Sequence, residues 1–288
     1  MTSTLKTLSE SLGIIRRNTK AFIGLIILLL FLVVALIGPW VVELDMSPDH
    51  LNRFQPPSSK HFLGTDYAGR DILALLIHGS TDIMLIAFST GFFGVLLAVT
   101  IGISAGLIGG TYDTVTMRII DVFLTVPSFP VMAIFAALFR IQDPITFGLI
   151  LSLWSWPSLA RSIRAQIMTL RKKEFVEVAE VMAMSKTHIM FKELMPNMMP
   201  YISINFINIA KGAITASVGI MLLGLVPLRA ANWGMMLNMA AFQSGAIYVP
   251  RALSYILSPM LAIVLFQYSL ICFASGVDEL FDPRLRTR

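Results

Sequence analysis

The stretch Ala21 to Val42, AFIGLIILLLFLVVALIGPWVV, runs for 22 residues without a charge. As a helix it extends about 33 Å, enough to cross the roughly 30 Å hydrocarbon layer of a bilayer. Five further runs follow: Ile83–Tyr112, Val122–Phe139 (broken by Pro127 and Pro130), Pro144–Ala160, Tyr201–Leu225 (with Lys211 inside it) and Ala252–Val277. Glycine and proline within them are compatible with membrane helices. Across 288 residues, 56% are hydrophobic and 14% charged, against about 25% charged in soluble domains. The expected fold class is all-α integral membrane, with about six transmembrane helices over residues 21–277.

The first run also invites comparison with a secretory signal, since Arg16, Arg17 and Lys20 precede it. It is too long for a typical signal core, and no small-x-small cleavage site follows, so a retained helix is expected. The single cysteine, Cys272, permits no intrachain disulfide and reads as a small apolar packing residue.

Six helices with residues 1–20 inside place 15 of the 22 basic residues on inner segments and six on outer ones, with Lys211 left over. That bias predicts a multi-pass protein of the cell (inner, cytoplasmic) membrane with both termini, including the tail 278–288, in the cytoplasm. The net charge of +5 reflects this asymmetry, and no nucleic-acid partner is expected. Membrane lipid is the expected surrounding.

Two polar segments interrupt the apolar pattern. Residues 43–82 form an outer loop with a turn-rich Gln55-Pro56-Pro57-Ser58-Ser59 stretch. Residues 161–200 form the longest inner loop. There Phe175, Val178, Ala179 and Met182 recur at the spacing of one helical face. Ser185 suits the N-cap of a second short helix, which Pro196 and Pro200 are expected to end. The loop thus reads as helix-turn-helix with an apolar stripe, packed on the protein's own helices or docked on a partner.

Chemistry-bearing motifs are missing. No G-x-x-x-x-G-K-[ST] loop, H-E-x-x-H pair or G-x-S-x-G elbow occurs, and His50, His61, His78 and His188 are scattered. No catalytic residue, metal site or resident cofactor is expected. Membrane runs almost free of acids also lack an evident carboxylate proton relay. The pattern is that of a translocation path whose energy comes from another subunit.

At the inner loop, Glu177-Val178-Ala179, Ala183, Ile189 and Met195-Pro196-Asn197 resemble the EAA loop of binding-protein-dependent ABC importer permeases. His61-Phe62-Leu63-Gly64-Thr65-Asp66 with Gly69-Arg70-Asp71 resembles the segment after the first helix of the peptide/nickel type. Trp233-Gly234-Met235-Met236-Leu237 and Phe281-Asp282-Pro283-Arg284-Leu285-Arg286 are similar to that family's W-G-x-M-L and D-P-R-L-R. The matches stand in family order over residues 61–286.

The resemblance implies a type I importer-like permease with a cytoplasmic coupling helix. Its partners would be a second permease subunit, two ATP-binding subunits that hold ATP and Mg, and an extracytoplasmic substrate-binding protein. The implied coupling residues are Glu177, Val178, Ala179, Met182, Ala183, Met184 and Ser185. Relatives carry peptides, oligosaccharides or nickel, and the substrate stays open among these. A stand-alone secondary transporter or channel, or a membrane scaffold, are the rival classes.

Departures from the pattern include Val178 for Ala, Met195 for Leu and Ser217 where many relatives carry an acid. Ala183 replaces a glycine, and alanine disfavours a left-handed turn, so a straighter helix is expected there. Asp66 and Asp71, with Gly64 and Gly69, suit a turn and a capped helix start, a fold-shaping role, with contact to a partner the alternative. Asn208, Lys211 and Thr215 share a helical face and are candidates for lining the translocation path, with interfacial snorkelling the alternative for Lys211.

Overall fold

A computed structural model describes residues 13, 15–139, 141–226 and 228–281. The D-P-R-L-R stretch and the C-terminal tail lie outside the described residues beyond Phe281. Among the described residues the structure is helical, with one isolated β-bridge between Thr65 and Asp71.

Helix α1 (Thr19–Val41) begins at Asn18, whose side chain accepts from the Ala21 N–H at 3.1 Å. Its apolar side chains, among them Leu30, Leu36 and Trp40, stay largely exposed. One edge packs on α9 (Leu253–Phe281). A Cβ on Gly24 would lie 2.6 Å from the Cys272 Cβ, so the absence of a side chain permits that approach.

Helix α2 (Ile72–Ile108) is 37 residues long and is capped by Asp71, which accepts from Ala74 N–H at 2.9 Å. Helix α3 (Gly110–Thr125) and helix α4 (Ser128–Leu138) meet at an 85° bend. Pro127 explains the break: it lacks an N–H and forces Val126 into an extended conformation. Helix α5 (Pro144–Leu170) starts at Asp143, which accepts from Thr146 N–H at 2.8 Å, with Pro144 favoured at the first helical position. That hydrogen bond holds the Asp143 carboxyl below its ordinary pKa.

Helix α6 (Glu174–Val181) is followed by α7 (Lys186–Leu222). Ser185 caps α7 by accepting from His188 N–H, as predicted. The expected second short helix is not separate. Pro196 and Pro200 lie inside α7, which is π-wound over Ile189–Leu194. Pro196 has no N–H to donate as the chain leaves this wider turn, and the Asn197 side-chain amide donates to the Glu193 carbonyl at 2.7 Å. At 37 residues α7 is about 55 Å long, well beyond the hydrocarbon thickness. The apolar run expected from Tyr201 is thus the later part of a helix that begins at Lys186. Lys211 is half-buried and stands eleven residues before the helix end.

Short helix α8 (Trp233–Asn238) starts at Asn232, and Trp233 is buried with its indole N–H donating to the Leu76 carbonyl at 2.9 Å. The W-G-x-M-L motif thus locks the α8 segment onto α2.

Among the described residues, four helices are long and apolar enough to span a membrane, within 19–41, 72–108, 186–222 and 250–277. The bent α3–α4 pair makes a fifth if it counts as one span. The fourth expected run, Pro144–Ala160, forms the first part of α5. Its uncharged portion, 144–160, is diluted by Ser152, Ser155, Ser158, Trp154 and Trp156, then ends in Arg161 and Arg164. Those arginines pair with Asp121 and Asp113 on α3, the latter through Arg164 Nε at 2.8 Å.

Candidate coupling surface and translocation cavity

Helix α6 has two unlike faces. Val176 and Ala179 are buried, packing with Ile163, Ile167, Ile189 and Leu194 of α5 and α7. Val178, Val181 and Met182, at i, i+3 and i+4, are 57%, 86% and 63% exposed. The stripe foreseen from the sequence therefore divides: Phe175 and Ala179 turn inward, Val178 and Met182 outward. Val181 joins the outward set; its place at i+3 from Val178 was the available signal. Glu177, Ala183 and Ser185 are also exposed, while Met184 packs against the core.

Ala183 has φ +54°, in the left-handed region. The expectation of a straighter helix is overturned. α6 ends at Val181 and α7 opens at a cap two residues past Ala183, so the chain must turn within Met182–Met184, and Ala183 takes a conformation costing roughly 1–2 kcal/mol relative to a right-handed one.

The loop before α2 is closed on itself. Asp66 is fully buried; its carboxylate accepts from Ala68 N–H at 2.8 Å, Arg70 N–H at 2.9 Å and Arg70 Nε at 2.7 Å. Burial disfavours the Arg70 charge, and the bonds to Asp66 more than offset it, so the guanidinium pKa is raised. Gly64 and Gly69 have φ +80° and +83°, and added Cβ atoms would sit 2.3 Å from Gln55 O and 2.0 Å from Asp49 O. Only glycine fits both positions. His61 Nδ1 lies 2.8 Å from the Asp71 carboxylate.

Between α2, α4, α5 and α7 lies a cavity of about 360 Å³ with no charged residue in its lining. Thr90, Ser128, Ser155, Ser158, Asn205 and Asn208 supply its polar groups. Trp154 also lines it, and the indole N–H is buried without a hydrogen-bond partner. Of the three candidate path residues, Asn208 lines this cavity. Lys211 and Thr215 do not; the Thr215 hydroxyl accepts from Gln267 of α9 at 3.0 Å. Sequence reasoning missed Trp154 and the serines. The signal for Ser155 and Ser158 was their spacing of three in an otherwise uncharged run.

Among the described residues the structure is a bundle of apolar helices around an uncharged polar cleft, an architecture that suits a membrane permease. Residues 98–287 match the family described as binding-protein-dependent transport system inner membrane component, and residues 9–57 match the N-terminal transmembrane domain of oligopeptide transport permease C. The chain is 30% identical over 274 residues to the oligopeptide transport system permease protein OppC of Bacillus subtilis (strain 168), covering 94% of this chain and 88% of that protein. It is 27% identical over 289 residues to the dipeptide transport system permease protein DppC of Alkalihalophilus pseudofirmus, covering 96% and 90%. The chain belongs to the family of binding-protein-dependent transport system inner membrane components, and its fold is that of a type I importer permease.

Proposed function

We propose that this chain is one of two permease subunits of an ATP-driven peptide importer, with residues 161–200 facing the cytoplasm and 43–71 facing outward. Two ATP-binding subunits would supply the energy, and an extracytoplasmic binding protein would deliver the peptide. Its termini would be cytoplasmic, in keeping with the basic residues of the inner segments.

The observation that carries this reading is α6. Its buried face fastens it to α5 and α7, and its other face leaves Val178, Val181 and Met182 bare beside Glu177. An apolar patch held rigidly in a polar loop suits a closely packed partner surface. Motion of that partner would pass into α5, which leads directly into α6, and into α7, both of which line the cavity. The relatives named for oligopeptide and dipeptide transport favour peptides over oligosaccharide or nickel.

Uptake of radiolabelled tripeptide by cells lacking this chain, and by cells with it restored, tests the proposal. The expected result is energy-dependent uptake that returns only with the intact chain. Unchanged tripeptide uptake on deletion would contradict it.

A further inference from the structure

The cavity between α2, α4, α5 and α7 has a consequence for what crosses it. We propose that it is a substrate site that grips the main chain of a peptide by neutral hydrogen bonds, with the Trp154 indole N–H as donor to a peptide carbonyl. This rests on the importer reading given above.

Four observations support it. First, the volume of about 360 Å³ lies in the range of small-molecule sites and suits a short peptide segment. Second, the lining carries hydrogen-bonding groups and no charge. A charged segment would lose its hydration without compensation there, whereas a peptide bond would not. Third, hydrogen-bonding capacity remains open. The Trp154 N–H donates to nothing, and the Asn208 amide and the Ser128 and Ser158 hydroxyls make no side-chain hydrogen bond among the described residues. A buried N–H left without a partner is uncommon in proteins and calls for a ligand or water. Fourth, the donor is held in place: Phe123 and Phe135 tilt against the indole at centroid distances of 5.0 and 5.5 Å.

The buried, unpartnered Trp154 N–H matches a carbonyl acceptor. Asn205 and Asn208, one turn apart on α7, can both donate and accept, as a peptide bond requires.

Gly212 supplies a clean way to close the site. It lines the cavity, and an added Cβ would meet nothing within 4 Å. A leucine there would project into the cavity without displacing backbone.

The test uses the chain assembled with its partner subunits in proteoliposomes, with binding protein saturating and radiolabelled trialanine as probe. Gly212→Leu is expected to reduce maximal uptake to background. Trp154→Phe keeps the ring and removes the donor, so a fall of about 3- to 10-fold is expected, the worth of one hydrogen bond. Both variants should co-purify with the partners at an unchanged thermal midpoint. Asn208→Asp should raise Ala-Lys-Ala uptake relative to Ala-Glu-Ala several-fold, a change that a purely structural role would not produce.

Wild-type rates for Gly212→Leu and Trp154→Phe, with trialanine transported normally, would overturn the cavity assignment alone. So would a loss of uptake that only tracks a lowered thermal midpoint. Maltotriose uptake in place of trialanine by the wild type would overturn the peptide reading of the importer, and the main-chain assignment with it. A wild-type complex that transports neither probe with ATP would overturn the importer reading itself, and this inference with it.

Discussion

The loop before α2 and the loop around α6 both carry family-like motifs, yet they are built in opposite ways. Around Asp66 the hydrogen bonds and charges are answered within the loop: the carboxylate meets two backbone N–H groups and a two-point guanidinium, and Gly64 and Gly69 let the chain close over itself. Around α6 the chain leaves an apolar face uncovered and holds Ala183 in a left-handed turn. A motif whose groups satisfy one another shapes the fold. One that leaves good contact surface unused is waiting for another molecule. The difference separates the structural role of the loop before α2 from the coupling role proposed for α6, where the spelling of the motifs cannot.

The largest effect is expected from breaking the closed loop. Asp66→Ala leaves the Arg70 guanidinium, 8% exposed, buried without its counter-charge. Such losses cost about 3–5 kcal/mol. The variant should fail to accumulate in membranes, measured by quantitative immunoblot. Removing both charges together, as Asp66→Ala with Arg70→Met, should recover part of the loss.

The open loop should respond differently. Val178→Asp with Met182→Asp puts two carboxylates on a surface already in water, so the chain should insert and accumulate normally. Uptake should fall by about tenfold or more, as expected when charge enters a packed interface whose central side chains carry about 2 kcal/mol or more. Parallel loss of membrane accumulation would erase the contrast between the loops.

Smaller effects sharpen the comparison. Ala183→Gly removes the left-handed strain and should stabilise the turn by about 1 kcal/mol, offset in part by the freedom glycine gains when unfolded. Slower amide exchange over 182–185 would register it. Asp71→Ala removes the α2 cap and should cost roughly 1 kcal/mol, read as a lower thermal midpoint with substrate preference unchanged.

Much of this was legible in the sequence because membrane helices announce themselves by long uncharged runs, and caps by side-chain type. Asp71 and Ser185, read as caps, each accept from the N–H three residues on, and Asn18 and Asp143, not singled out from the sequence, do the same. What stayed hidden depends on winding and burial. Pro196 and Pro200 signalled a helix end, but a π-wound turn upstream absorbs them. The stripe on α6 was visible as a spacing, whereas its division into inward and outward halves needed the positions of α5 and α7. Asn208 was reachable from its place on α7. Trp154 was not, since an indole in an apolar run reads as packing until its N–H proves to have no partner.

The central claim is that the bare face of α6 is the seat of the ATP-binding partner. The most direct measurement is site-specific cross-linking in the assembled complex. Cysteine would replace Val178 or Met182, with the buried Cys272 changed to alanine. The account predicts a cross-link from both positions to the ATP-binding subunit, lost or weakened as ATP is bound and hydrolysed, and none from a cysteine replacing Phe62 in the loop before α2. Efficient labelling of both α6 positions by a bulky water-soluble thiol reagent in the intact complex, with no cross-link under any nucleotide condition, would contradict it.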